Sequence, residues 1–277
     1  MRLVSFDLDG EQAYGRVVGS RVTRLDCLMG APRDLASALA SGWLDARPDV
    51  TGAQELALDA LHLLPPVPNP GKVLCVATNF HEPERGAKPV PEYPLVFTRF
   101  ADSFTAHAMP LVKSALTEKY DYEGELAVVI GKPAYKVSRD QAMDHVAGYT
   151  CLNDGSVRDW QKHSTQFTCG KNFYRSGSMG PWLVTAEELP DLATVTLETR
   201  VNGEVRQAIG MGRMIFDIPW LIAYFSSFTP LAPGDIIATG TPSGFGSTRD
   251  PAVFLQAGDV VEVEISGIGV LRNIITA

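Results

Sequence analysis

The sequence predicts an α+β protein that is mostly β, with a small N-terminal α+β domain over residues 1–69 and a larger domain over residues 70–277. Three observations carry this reading. Four prolines fall within PPVPNP, residues 65–70, and a proline cluster of that density marks a linker between units. The C-terminal third alternates apolar and polar residues in run after run, the pattern of half-buried strands. FDIPWLIAYFSSF, residues 216–228, interrupts those runs with an amphipathic helical pattern.

Taken in order, RLVSFDL and YGRVVGSRVTRL flank Asp9-Gly10, a dipeptide favoured in tight hairpin turns, and predict a small antiparallel sheet. Residues 33–63 place Leu and Ala at helical spacing and predict two short helices. After the linker, KVLCVATNF reads as a buried strand, LVFTRF as another and DYEGELAVVIG as a third. SRDQAMDHVAGYT predicts a helix capped by Ser138, and CLND a strand end. Residues 156–163 fit one or two helical turns. TVTLETRVNGEVRQ predicts a hairpin turning at Asn202-Gly203, and DIIATG, DVVEVEI and GVLRNII close the chain as strands.

Composition narrows the function. At 277 residues, 45% hydrophobic and 20% charged, the chain can bury a core without a disulfide or metal staple. A net charge of −8 with no Lys/Arg block argues against nucleic acid as a partner. The four cysteines form no C-x-x-C pair, and the first residues lack a basic-then-apolar leader, so a reducing cytoplasm is expected. The apolar runs fall short of the roughly 18 residues of a membrane span, so no membrane partner is expected.

The chemistry gathers between Asp121 and Lys171. Asp121, Glu123 and Glu125 stand at every second residue, which in a strand points all three carboxylates to one face. Stacked like charges are tolerated when a cation lies between them. Asp154 follows the next apolar run, with Arg158, Gln161 and Lys171 close behind. An oxygen-only ligand set suits Mg²⁺ or Mn²⁺, and a lysine beside it can hold a carboxylate or enolate. The bland readings are a solvated strand face for the acids, a helix cap for Asp154 and a surface lysine for Lys171. His81 and Glu84 have H-x-x-E spacing, which shares one face if the loop makes a helical turn, and a histidine beside a carboxylate can activate water. FDLDG resembles a phosphatase opening but is explained by the hairpin. TGTPSGFG lacks both P-loop and nucleophile-elbow order, and is either a plain tight turn or one that presents Thr241 and backbone amides to a ligand.

KVLCVATNF, DYEGELAVVIG, GYTCLNDGSVRDWQ, the GK before GPWLVT, MIFDIPWLIAYFS and PGDIIATGTPSGFG occur in the order of the fumarylacetoacetate hydrolase family, and the chain resembles its bacterial acylpyruvase-like branch over residues 72–274. The resemblance implies a mixed β-sandwich roll in the C-terminal domain, a homodimer, and Mg²⁺ or Mn²⁺ on Glu123, Glu125 and Asp154. It places substrate-holding groups at Arg158, Gln161 and Thr241, and catalytic groups at Lys171, His81 and Glu84. The family commonly has N-Y-x-x-H-x-x-E, whereas here His81 directly follows Asn79-Phe80, so this loop is two residues shorter. Phe173-Tyr174 and the AIGMGRM run after Gln207 also depart from the family pattern, which makes substrate choice the property least carried over.

The implied activity is hydrolytic C–C cleavage of an acylpyruvate-type 2,4-dioxo acid such as fumarylpyruvate, releasing pyruvate. Oxaloacetate decarboxylation or isomerisation of a 2-hydroxydienoate on the same scaffold is the alternative. A metal-bound dimer without catalysis is a third.

Overall fold

The computed structural model describes residues 1–82 and 89–277. The N-terminal segment forms β1 (Arg2–Leu8), β2 (Glu11–Val18), β3 (Arg21–Arg24), helix α1 (Leu35–Ala40), β4 (Glu55–Ala57) and β5 (His62–Leu63). Asp9 and Gly10 both adopt positive φ, as a two-residue hairpin requires. Asp34 caps α1 by accepting the Ser37 amide at 2.8 Å. The second helix expected before residue 63 is absent: Glu55–Ala57 pairs with β3, and His62–Leu63 with β1. Ladder bonds to strands already in place outweigh the local Leu/Ala spacing.

After the proline cluster come β6 (Val73–Ala77), β7 (Leu95–Arg99), β8 (Phe104–Ala106), β9 (Leu111–Val112), β10 (Tyr120–Asp121), β11 (Gly124–Ile130), β12 (Val146–Asn153) and β13 (Ser156–Val157). Two four-residue helices follow, α2 (Arg158–Gln161) and α3 (Thr168–Lys171), then β14 (Gly177–Thr185), β15 (Thr196–Val201) and β16 (Glu204–Gly210). Helix α4 (Ile218–Phe228), β17 (Ile236–Ala238), β18 (Val260–Ile265) and β19 (Gly269–Thr276) complete the chain. Among the described residues the principal sheet runs β4-β3-β2-β1-β14-β12-β11-β17-β6-β7, with β5 and β8 attached at its side. A second sheet runs β16-β15-β18-β19-β9. Parallel pairs β6/β17, β8/β14 and β9/β19 among antiparallel neighbours make both of these sheets mixed, as the family resemblance implies.

β11 is the axis of the fold, and every one of its residues is buried. Leu126, Val128 and Ile130 face a core that includes Leu221, Ile222 and Phe225 of α4 and Val263 and Ile265 of β18. The alternate residues Ala127 and Val129 face a second core with Leu3, Leu35, Val73 and Leu183. Burying a side chain such as Phe225 contributes about 2 to 3 kcal/mol, so this two-faced strand is where the chain concentrates its hydrophobic stabilisation. The second core also ties the N-terminal segment to the larger unit, and Arg2 and Leu3 pair with Val184 and Leu183 of β14.

The helix expected from Ser138 does not form. Residues 142–145 make a 3-10 turn, and Val146 onward enters β12 between β11 and β14. Gly148 explains why the strand prevails, since a Cβ there would sit 2.0 Å from the Val184 carbonyl oxygen: the two backbones need that closeness. Helix α4 forms as expected, with Asp217 accepting the Trp220 amide at 2.9 Å and Pro219 in the first turn. No helix of the described residues is long and apolar enough to cross a membrane.

Candidate active site

The single strand expected over the three alternating acids is broken in two. Tyr120 and Asp121 form β10 and pair with β13, whereas Glu125 lies in β11 of the principal sheet. Glu123 sits at the crossing, its amide donating to Asn153 Oδ1 at 3.0 Å while its carbonyl accepts the Asp154 amide at 2.8 Å. That exchange brings Glu123 and Asp154 together although they are far apart in sequence. Two glycines permit it. A Cβ on Gly124 would lie 2.0 Å from Thr199 Oγ1, and one on Gly155 only 1.7 Å from the Ser176 carbonyl oxygen.

Glu123, Glu125 and Asp154 each offer a carboxylate oxygen, and these oxygens lie within 4.8 Å of one another, all buried. Asp121 does not join them. Its carboxylate accepts the amides of Tyr122, Gly246 and Ser247 at 3.0, 2.7 and 2.9 Å and Arg158 Nε at 2.8 Å, so it orients the arginine.

Among the described residues three cations hold the acids. Lys171 Nζ lies 2.7 Å from Glu123 Oε2 and 2.6 Å from Asp154 Oδ2. Arg158 Nη1 reaches Glu123 Oε1 at 2.5 Å and Gln161 Oε1 at 3.1 Å, while its Nη2 is buried without a partner among the described residues. Arg99 Nη1 donates to Asp154 Oδ1 at 2.6 Å and to the Gly155 carbonyl at 3.1 Å. Phe97 and Phe245 lie under the Lys171 and Arg158 charges, with ring centroids 4.9 and 4.5 Å away.

Protonation follows from this geometry. Burial pushes Asp154 upward, yet the charges of Lys171 and Arg99 and their hydrogen bonds overcome it and hold its carboxyl below the usual range. Burial likewise opposes the Lys171 charge, and Asp154 and Glu123 reverse that effect and raise its pKa. Glu125 goes the other way. Burial, then the negative charges of Asp154 and Glu123, raise it well above the ordinary value against weaker help from Lys171 and the Gly240 amide. Its Oε2 accepts that amide at 2.8 Å, but Oε1 is buried with no partner among the described residues. An orphaned carboxylate oxygen facing two further carboxylates is a site short of a positive charge, and an oxygen-liganding divalent cation fits it.

A cavity of about 170 Å³ opens on this cluster. It is lined by Glu123, Glu125, Arg158, Gln161, Lys171 and Thr241, so six of the nine residues expected at the site meet there, and Asp154 lies behind them bonded to Lys171. Thr241 is fixed by donating to the Gly124 carbonyl at 2.9 Å and accepting Gln207 Nε2 at 2.8 Å. His81 is placed differently. It is exposed, its amide donates to the Arg213 carbonyl at 2.9 Å, and its side chain is outside the cavity lining. The helical turn assumed for H-x-x-E is not what its described part adopts: Phe80 bridges Met214 in extended pairing. Glu84 lies outside the described residues.

Two residues escaped the sequence reading. Arg99, buried at the end of β7, is the second cation on Asp154, and its one sequence signal is a lone charge in a strand of Leu, Val, Phe and Thr. Glu82 lines the cavity, and its Oε1 accepts the Ser243 amide at 2.7 Å and the Ser243 hydroxyl. In an extended stretch alternate residues share a side, so Phe80 and Glu82 turn to the cavity where His81 does not.

Two mixed sheets, a short β10-β13 pair and a buried carboxylate triad bordered by lysine and arginine define a class of carboxylate site that could hold a metal ion and take an oxyanion. The family model for the fumarylacetoacetate hydrolase C-terminal domain matches residues 72–276, and the chain belongs to that family. It is 43% identical over 237 residues to oxaloacetate tautomerase YisK of Bacillus subtilis, covering 83% of this chain and 78% of that one. It is 42% identical over 214 residues to the mitochondrial oxaloacetate tautomerase FAHD2A of Homo sapiens, covering 76% and 68%. Among solved structures, a fumarylacetoacetate hydrolase from Exiguobacterium antarcticum superposes with a TM-score of 0.91 at 34% identity, covering 100% of this chain and 99% of that one. A maleylpyruvate hydrolase from Sphingobium in complex with manganese(II) and pyruvate superposes with a TM-score of 0.82 at 28% identity, over 100% and 99%.

Proposed function

We propose that this chain is a divalent-metal-dependent enzyme that enolises a 2-oxo acid, with keto–enol tautomerisation of oxaloacetate as its reaction. The observation that carries the reading is the pair of buried cations, Lys171 and Arg158, set beside a carboxylate triad in which Glu125 Oε1 has no partner. Mg²⁺ or Mn²⁺ held by Glu123, Glu125 and Asp154 supplies Lewis-acid polarisation of the 2-oxo group. Arg158 Nη2 is the donor left for the substrate carboxylate, and Gln161 and Thr241 set its orientation. Lys171, kept protonated by Asp154 and Glu123, stabilises negative charge that develops on the 2-oxo oxygen as a C3 proton leaves. Lys171, Arg158, Gln161 and Thr241 all have a part in that step, and no attacking water is required. The 43% identity to an oxaloacetate tautomerase supports the same choice.

Hydrolysis of an acylpyruvate-type 2,4-dioxo acid such as fumarylpyruvate is the second reading, favoured by the likeness to a maleylpyruvate hydrolase that binds manganese and pyruvate. It asks for a water-activating base, the role assigned to His81 and Glu84 from sequence. We also place the protein in the cytoplasm as a homodimer, consistent with its free cysteines and with Tyr93 and Phe228 exposed beside Tyr224. The deciding experiment gives the protein oxaloacetate, a 2-hydroxydienoate and a panel of acylpyruvates, with Mg²⁺ or Mn²⁺ and with chelator. Loss of the oxaloacetate enol absorbance faster than in buffer, abolished by chelator, is expected. Pyruvate release from an acylpyruvate with no effect on the oxaloacetate enol would establish hydrolysis instead.

A further inference from the structure

The geometry points to Glu82 as the group that carries the substrate proton. The inference rests on the enolisation reading above and adds to it the one component that reading lacks, a base for the C3 hydrogen. Glu123 is bound by Lys171 and Arg158, Asp154 by Lys171 and Arg99, and Glu125 accepts the Gly240 amide and faces the other two acids. These three are committed to the metal cluster. Glu82 reaches the same cavity from a different segment, the extended stretch after β6, and lies outside the triad. Its Oε1 is anchored by the Ser243 amide at 2.7 Å and by the Ser243 hydroxyl, two residues beyond the cavity-lining Thr241. A carboxylate held by a backbone amide is positioned as a general base must be, and positioned carboxylates contribute about 10² to 10⁴ in rate.

In the step, Glu82 takes a proton from C3 as that C–H electron pair becomes the C2–C3 double bond and the carbonyl pair moves onto oxygen beside Lys171. Glu82, now protonated, returns the proton to the enolate oxygen directly or through the Ser243 hydroxyl. The net change is a 1,3-proton shift, with no other reactant consumed. Neighbouring His81, the residue that sequence spacing favoured, points out of the cavity and is not needed for it.

The test is hydrogen–deuterium exchange at C3 of pyruvate in D₂O, followed by NMR with the Mn²⁺- or Mg²⁺-loaded protein, alongside oxaloacetate tautomerisation. Glu82→Gln is expected to slow both by at least about 100-fold. Calorimetric affinities for Mn²⁺ and for oxalate should stay within about threefold of wild type, because Glu82 is neither ligand nor carboxylate anchor. Glu82→Ala with added formate should recover exchange in a formate-dependent way, which a purely structural role would not produce. Exchange retained within threefold in Glu82→Gln while His81→Asn abolishes it would overturn the assignment and return the base to the histidine. Loss of Mn²⁺ or oxalate binding in Glu82→Gln would overturn it in favour of a binding role. Wild-type protein that neither exchanges C3 nor turns over any 2-oxo acid would instead sink the enolisation reading, and Glu82 with it.

Discussion

Arg99 donates from Nη1 to Asp154 Oδ1 across 2.6 Å, and neither side chain has any contact with solvent. The same guanidinium donates to Ser103 Oγ and Ser176 Oγ at 3.1 and 2.9 Å and stacks over Phe104 at 4.4 Å. It is therefore satisfied on all sides and binds β7, β8 and the start of β14 to the carboxylate cluster. Truncating one member of a buried pair leaves the other charge uncompensated, which costs about 3 to 5 kcal/mol. Arg99→Met is expected to lower urea stability by about that amount. Saturating Mn²⁺ should restore more stability to the variant than it adds to wild type, because the ion replaces the missing positive charge beside Asp154. Paired urea titrations with and without Mn²⁺ measure both; equal metal increments in the two proteins would contradict this account.

Gly155 gives a second prediction, at the backbone level. A methyl group there would meet the Ser176 carbonyl oxygen at 1.7 Å and Tyr120 Oη at 3.0 Å, and neither is the movable end of a flexible chain. Accommodating it must shift the segment that carries Asp154. Gly155→Ala should cost about 3 kcal/mol and weaken Mn²⁺ binding. Gly210, where an added Cβ meets nothing within 4 Å, is the control, and Gly210→Ala should stay within about 0.5 kcal/mol of wild type. Equal stability of the two variants would remove the proposed role of close backbone approach.

These two residues also show where the sequence was informative. Glu123, Glu125 and Asp154 were legible because clustered carboxylates beside an apolar run have few stable explanations, and β11, α4 and the Asn202-Gly203 hairpin because their periodicity or turn chemistry is local. Arg99 was not legible. Its burial depends on β7 lying beside β6 and on Ser176 arriving from 77 residues away, and no neighbouring residue records that. The helical pattern of residues 138–150 gives way for a related reason: the ladder that draws Val146–Asn153 into a strand is completed by β14, later in the chain. Glu82 is not legible from H-x-x-E spacing, because a helical period pairs positions 81 and 84, whereas Phe80 pairs with Met214 in extended register and alternation from it turns Glu82 to the cavity.

Thiol chemistry should separate the four cysteines cleanly. Cys27 and Cys169 are exposed and Cys75 and Cys151 fully buried. Burial pushes the Cys151 thiol up to about 12, and burial together with the nearby Asp154 and Glu125 charges raises Cys75 well above its ordinary value. Two equivalents of thiol should react rapidly with an aromatic disulfide reagent in the native protein and four after unfolding. Cys169 lies two residues before Lys171, so its modification is expected to slow turnover, and a Cys169→Ser variant should keep full activity under the same reagent. Four fast-reacting thiols in native protein would contradict the packing of β6 and β12.

His107 sets an acid limit on stability away from the metal cluster. Its Nδ1 accepts the Arg272 amide at 3.1 Å, a bond that the neutral ring makes. Burial, and then the Arg272 charge, lower its pKa below the ordinary histidine value. Because the unfolded chain takes up that proton at a higher pH than the folded one, this contribution is fully present above the unfolded pKa, about 6.5. It is lost as pH falls through the depressed folded value. His107→Asn keeps an acceptor for the Arg272 amide but does not titrate. The stability difference between wild type and variant, measured by urea unfolding, should therefore be constant above about pH 7. Below that pH it should move in the variant's favour. A difference that is flat from pH 8 to pH 5 would show that His107 binds its proton equally in both states.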